Sequence, residues 1–99
     1  MIKHVSSKEE FNELTKNGLV LVDFYADWCG PCQMLSPVIE ELDEEMEITV
    51  LKIDVDELSD IAREYRVMAI PTLLLFRDGQ LVKRETAYMP IEHLRKFVK

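Results

Sequence analysis

The sequence predicts an α/β fold, with one mixed sheet of about five strands flanked on both faces by about four helices. Three observations carry this reading. Strand-like and helix-like segments alternate along the whole chain, with no repeat, low-complexity run or linker. Leu19 to Ala26 is an almost unbroken apolar run, as a central strand covered on both faces requires. Asp78-Gly79 is a tight-turn pair between two strand-like segments, so the last two strands pair antiparallel. Ninety-nine residues leave room for a single domain, residues 1–99.

The elements follow in order. Ile2 to Val5 reads as a short first strand. Ser7-Lys8-Glu9-Glu10 has the Ser-x-x-Glu capping pattern and starts a short helix with Phe11 and Leu14 inward, ending at Asn17-Gly18. The central strand Leu19 to Ala26 comes next, interrupted only by Asp23. A helix from about Pro31 to Met46 places Leu35, Ile39, Leu42 and Met46 on one stripe, with most of its acids off it on a solvated face. Pro37, inside this helix, removes a hydrogen bond and is expected to kink the axis. Ile48 to Asp54 is a further strand. Asp56 is expected to cap a short helix carrying Leu58, Ile61, Ala62 and Tyr65. Thr72 to Phe76 and Leu81 to Thr86 form the hairpin, and Pro90 opens a last helix with Ile91, Leu94, Phe97 and Val98 inward. Helix crossovers join the early strands in parallel.

Composition narrows the function. Apolar residues make up 47% of the chain and the formal charge is −7. An acidic chain without a Lys/Arg cluster is repelled by phosphate and by anionic lipid, so nucleic acid and membrane surfaces are excluded as partners. No segment is a continuous apolar span, and the charged N-terminal stretch lacks the apolar core of a signal peptide, so a cytoplasmic location is expected.

The two cysteines, Cys29 and Cys32, are too few and too close for a structural disulfide framework. His4 and His93 lie at opposite ends of the chain, so a four-ligand zinc site has no ligand set. The best remaining use is a local redox pair. Disulfide exchange needs a thiolate, and an ordinary thiol, with a pKa near ~8.5, is mostly protonated at neutral pH. Cys29 at the start of a helix meets unpaired N–H groups and the positive end of the helix dipole, which stabilise S⁻. Cys32 returns to the same side one turn later. Gly30 removes bulk between them, and Pro31 stiffens the first turn, where a missing N–H costs nothing. Asp23 is costly to bury as an ion, so its pKa is expected to rise.

Val22-Asp23-Phe24-Tyr25-Ala26-Asp27-Trp28-Cys29-Gly30-Pro31-Cys32 resembles the active-site segment of the thioredoxin family, and Ala69-Ile70-Pro71-Thr72-Leu73-Leu74-Leu75-Phe76 resembles its cis-proline segment. The likeness extends over essentially the whole chain in element order and spacing. It implies the thioredoxin fold and a protein-disulfide reductase that cycles between dithiol and disulfide. Cys29 is then the nucleophile and Cys32 the resolving thiol. Asp23 is the proton acceptor for Cys32, and Lys52 is a lysine near the buried acid. It also implies a cis Ile70–Pro71 bond, with Ile70's main chain free to pair with an extended substrate. Trp28, Met68, Ala69 and Ile70 form an apolar surround. No cofactor is implied. Reducing equivalents come from NADPH through a thioredoxin reductase, and the partners are that reductase and disulfide-containing client proteins. A monomer is expected.

Three positions depart from the family pattern. Gln33 stands where a lysine often follows the second cysteine, Tyr25 replaces a common tryptophan, and Ala87 replaces a frequent glycine beside the substrate groove. They bear on substrate range and reductase compatibility, not on the reaction. An oxidant or isomerase of the same fold, a redox-silent binding module and a zinc half-site shared between two chains are the competing readings. The first usually carries a histidine between its cysteines, which Gly30-Pro31 does not supply. The second leaves the Cys-x-x-Cys pair unexplained, and the third predicts metal-dependent dimerisation.

Overall fold

The computed structural model describes all 99 residues, Met1–Lys99. The elements are β1 (Ile2–His4), α1 (Lys8–Leu14), β2 (Leu19–Tyr25), α2 (Gly30–Glu45), β3 (Thr49–Asp54), α3 (Ser59–Glu64), β4 (Thr72–Arg77), β5 (Gln80–Thr86) and α4 (Ile91–Phe97). This is the order the sequence predicts. The five strands form one sheet in the order β1-β3-β2-β4-β5. β3 pairs in parallel with β1 and β2, whereas β4 runs antiparallel to both β2 and β5. The reversal of direction therefore precedes the final hairpin: the connection through α3 already delivers β4 antiparallel to its central neighbour.

Alternation along β2 divides the apolar residues between two layers. Leu21, with Val50, Leu73 and Leu75, packs beneath Leu35, Ile39 and Leu42 of α2 and Leu94 and Phe97 of α4. Val20, Val22 and Phe24 point the other way and pack against Phe11 of α1 and Ile61 of α3. Each large side chain fully buried in this way contributes roughly 1.5–3 kcal/mol. A strand covered on both sides has no polar face, which explains why β2 reads as a continuous apolar run. α2 continues through Pro37, whose missing N–H leaves the Gln33 carbonyl without its usual partner four residues on.

The ends of the helices hold the main local departures. Ser7 Oγ accepts from the Glu10 N–H at 3.1 Å, as the capping pattern requires. The return bond is displaced by one residue, since the Glu10 carboxylate accepts from the Ser6 N–H at 2.8 Å. Asp56 does not cap α3. That helix starts after Leu58 with no side-chain cap, and Asp54 takes the turn instead, accepting from the Asp56 N–H at 2.9 Å. An acceptor two residues upstream satisfies the turn's donors and frees Asp56 for another contact. α3 ends with Arg66 at φ 53°, Arg66 N–H donating to Arg63 O and Val67 N–H to Ala62 O.

The β4–β5 turn is built as its sequence predicts. Asp78 and Gly79 both have positive φ, 50° and 86°, the left-handed pair that matches strand twist in a two-residue hairpin. Asp78 is also bonded in both directions to Gly18 at the start of β2. Its Oδ1 accepts from the Gly18 N–H at 2.8 Å, and its own N–H donates to Gly18 O at 2.9 Å.

Candidate active site

Strand β2 runs into a short loop that delivers Cys29 to the N-terminus of α2. Cys29 is the N-cap of that helix, and its Sγ accepts from the Cys32 N–H at 3.3 Å. One orphan donor of the helix start is thereby pointed at the sulfur, as an ionised sulfur at this position would need. Cys29 and Cys32 are joined as a disulfide, with Cα atoms 5.3 Å apart. Gly30 opens α2, and Pro31 occupies its first turn. Gln33, one of the departures from the family pattern, closes the loop: its Nε2 donates to Asp27 O at 2.8 Å. No group of three or more His, Cys, Asp or Glu side chains is placed to hold a metal ion.

Asp23 lies on β2, two residues before the strand ends at Tyr25, and has no solvent exposure. Neither carboxylate oxygen has a hydrogen-bond partner. Lys52 Nζ stands 3.3 Å from Asp23 Oδ2 as an off-axis ion pair, and donates instead to Ser36 Oγ at 3.0 Å. Burial pushes the Asp23 carboxyl above its ordinary range, and Lys52 opposes part of that rise. The pairing follows from register, because Asp23 and Lys52 are Cα partners across β2 and β3. A cleft of about 500 Å³ opens beside them, reaching Cys32, Ser36 and Lys52.

The other side of the disulfide is apolar. The Ile70–Pro71 bond is cis. Cys29 Sγ lies 3.8 Å from Ile70 O, while the Ile70 N–H makes no bond within the chain. Trp28, Val55, Val67, Met68, Ala69 and Ile70 line a groove of about 330 Å³. Trp28 and Met68 are 70% and 92% exposed, although both cysteines are buried, so an incoming chain meets this apolar rim before the sulfurs. Ala87 is exposed just beyond β5 and does not line the groove. Thr72, which follows Pro71, joins that end of the hairpin to the loop: its Oγ1 donates to Ala69 O at 2.6 Å and contacts Thr86 Oγ1 at 3.0 Å.

Sequence reasoning missed two contributors. Asp56 Oδ2 accepts from Trp28 Nε1 at 2.9 Å and holds the exposed indole in place. Ser36 holds the head of Lys52. A carboxylate in a turn and a serine in a helix carry no local signal for such contacts, since each partner is distant in sequence.

A family model described as Thioredoxin matches residues 2–99. A thioredoxin of Bacillus subtilis is 46% identical over 95 residues, covering 94% of this chain and 91% of that protein. One from Chlamydia trachomatis is 45% identical over 95 residues, covering 95% and 93%. Among solved structures, a mutant thioredoxin from Halobacterium salinarum superposes with a TM-score of 0.93 at 44% identity, covering 98% of this chain and 87% of the other. Oxidised mitochondrial thioredoxin 3 from Saccharomyces cerevisiae gives 0.91 at 39% identity, covering 98% and 92%.

Proposed function

Because the chain belongs to the thioredoxin family and is a thiol–disulfide oxidoreductase acting on disulfide client proteins, we propose how its own residues divide the work. The Cys29 thiolate attacks one sulfur of a client disulfide, and the other client sulfur leaves as a thiolate and takes up a proton. A mixed disulfide results. Cys32 gives its proton to Asp23 and attacks Cys29, the second client sulfur leaves, and Cys29 and Cys32 end bonded to each other. Two electrons have then passed from the dithiol to the client. Lys52 keeps Asp23 ionised often enough to accept the proton. Gly30 and Pro31 keep the two sulfurs close.

Trp28, Met68, Ala69, Ile70 and Pro71 receive an extended client segment, with Ile70's main chain pairing to it. Main-chain pairing tolerates many sequences, which suits a reductase with many clients. Reducing equivalents come from NADPH through a thioredoxin reductase, and the protein works in the cytoplasm as a monomer. Reduction is favoured over oxidation because Gly30-Pro31 supplies no histidine to stabilise the reduced thiolate. The observation that carries the scheme is a bonded sulfur pair at the start of α2, 3.8 Å from Ile70 O beside that residue's free N–H. Cys32→Ser should accumulate covalent complexes with a disulfide-bearing protein, and Cys29→Ser should form none. Turnover by Cys32→Ser at the parent rate would refute the two-step order.

A further inference from the structure

Lys52 stands in register between two partners, its Cα paired with His4 on β1 and with Asp23 on β2. Registered neighbours leave a sheet on the same face, so the three side chains form a row, and Tyr25, two residues past Asp23, joins that face. The Tyr25 ring centroid is 4.8 Å from Lys52 Nζ. The Tyr25 hydroxyl is 3.3 Å from His4 Nδ1, and the two rings meet edge to face, 6.1 Å apart at 83°. His4, Tyr25 and Lys52 line the cleft that reaches Cys32. A lysine on an open cleft wall is flexible and keeps its ammonium in water unless something holds it. Ser36 supplies one hydrogen bond; an aromatic face supplies the other hold.

We infer that Tyr25 is a positioning residue for the resolving step, its ring holding the Lys52 ammonium beside Asp23 while His4 braces the ring through its hydroxyl. The inference rests on the reading of Asp23 as proton acceptor. Acidic groups other than Asp23 face this region: Asp54 on β3, Glu40 on α2, and Asp27 and Glu57 in the flanking loops. Among these acids Lys52 forms its ion pair with Asp23 alone. A cation fixed there favours the ionised carboxylate, and one free to swing into solvent does so less. Burial and the surrounding acids hold the Tyr25 hydroxyl above its ordinary titration range, so it remains a neutral partner for His4.

The test follows the Asp23 carboxyl by carbon-13 NMR in the disulfide form, where neither cysteine titrates. In Tyr25→Leu its titration should move up by about one pH unit. Release of the second client thiol should slow roughly tenfold at pH values below the shifted titration, with the first attack by Cys29 unchanged. Tyr25→Phe keeps the ring but loses the brace from His4, so in both measurements it should lie closer to the parent than to Tyr25→Leu. In a Lys52→Gln background, Tyr25→Leu should add no further shift. A titration unmoved in Tyr25→Leu overturns the inference. So does a Tyr25→Phe shift as large as that of Tyr25→Leu, or a Tyr25→Leu shift that persists without Lys52. If Asp23→Asn releases client at the parent rate at every pH, the acceptor role itself falls, and this inference with it.

Discussion

An ionised carboxylate buried without a hydrogen-bond partner costs stability, and Asp23 is such a group. Its folded titration lies above the ordinary aspartate value of 3.8, chiefly through burial. The folded protein thus holds this proton more tightly than the unfolded chain. The stability it contributes is complete below the ordinary range and is lost as pH rises through the folded value. Asp23→Asn keeps the shape and removes the charge. It should be more stable than the parent by roughly 1–3 kcal/mol at neutral pH, with the difference fading below the ordinary aspartate range. Urea unfolding at several pH values checks this, and a difference independent of pH contradicts it. Trp28 gives a second prediction at this scale. Asp56→Ala removes the acceptor that holds the indole, so kcat/KM for clients should fall about two- to tenfold. Asp56→Asn, which retains an acceptor oxygen, should recover most of the loss.

Among the elements, α3 offers the clearest test, because it ends in a left-handed residue that is not glycine. Arg66 sits at φ 53°, where a Cβ is strained, and its exposed position leaves little side-chain contact to lose. Arg66→Gly should stabilise the protein by roughly 0.5–1 kcal/mol, read as a higher midpoint in thermal or urea unfolding. The sequence does not mark this end of α3, because the usual glycine is missing. The start of α3 is ambiguous in the sequence for a related reason. Two aspartates, Asp54 and Asp56, stand within reach of the same turn, and only the fold decides which one is drawn away, here by Trp28. Elements whose cues are purely local came through: the serine cap of α1, the Asp78-Gly79 hairpin and the apolar run of β2. The cysteine pair and Asp23 were legible because Cys-x-x-Cys at a helix start and an acid inside an apolar strand are both locally anomalous. Tyr25, Ser36 and His4 were not seen as one group, because they meet across β1, β2 and α2 only once register is set.

For the molecule as a whole, a charge of −7 sets how clients arrive. Between about 0.01 and 0.15 M salt the Debye length falls from ~30 to ~8 Å. Reduction of a basic client should therefore slow severalfold as salt is added, while an acidic client should speed up. Stopped-flow rates for one client of each sign decide the matter, and parallel salt responses would contradict it. The two apolar layers meet only through the sheet, and β2 contributes to both while leading directly to the sulfurs. Its opposite end, at Leu19, is six residues back along the strand, roughly 20 Å from where the strand enters the disulfide loop. There Asp78 and Gly18 clasp each other through two main-chain donors. For protein engineering this matters, since an exposed hairpin tip remote from the chemistry is the usual place to splice in a foreign loop. Here that tip is a fastening, and inserting sequence between Asp78 and Gly79 would break the clasp at the far end of the ladder that ties the last hairpin to the strand carrying the reactive end.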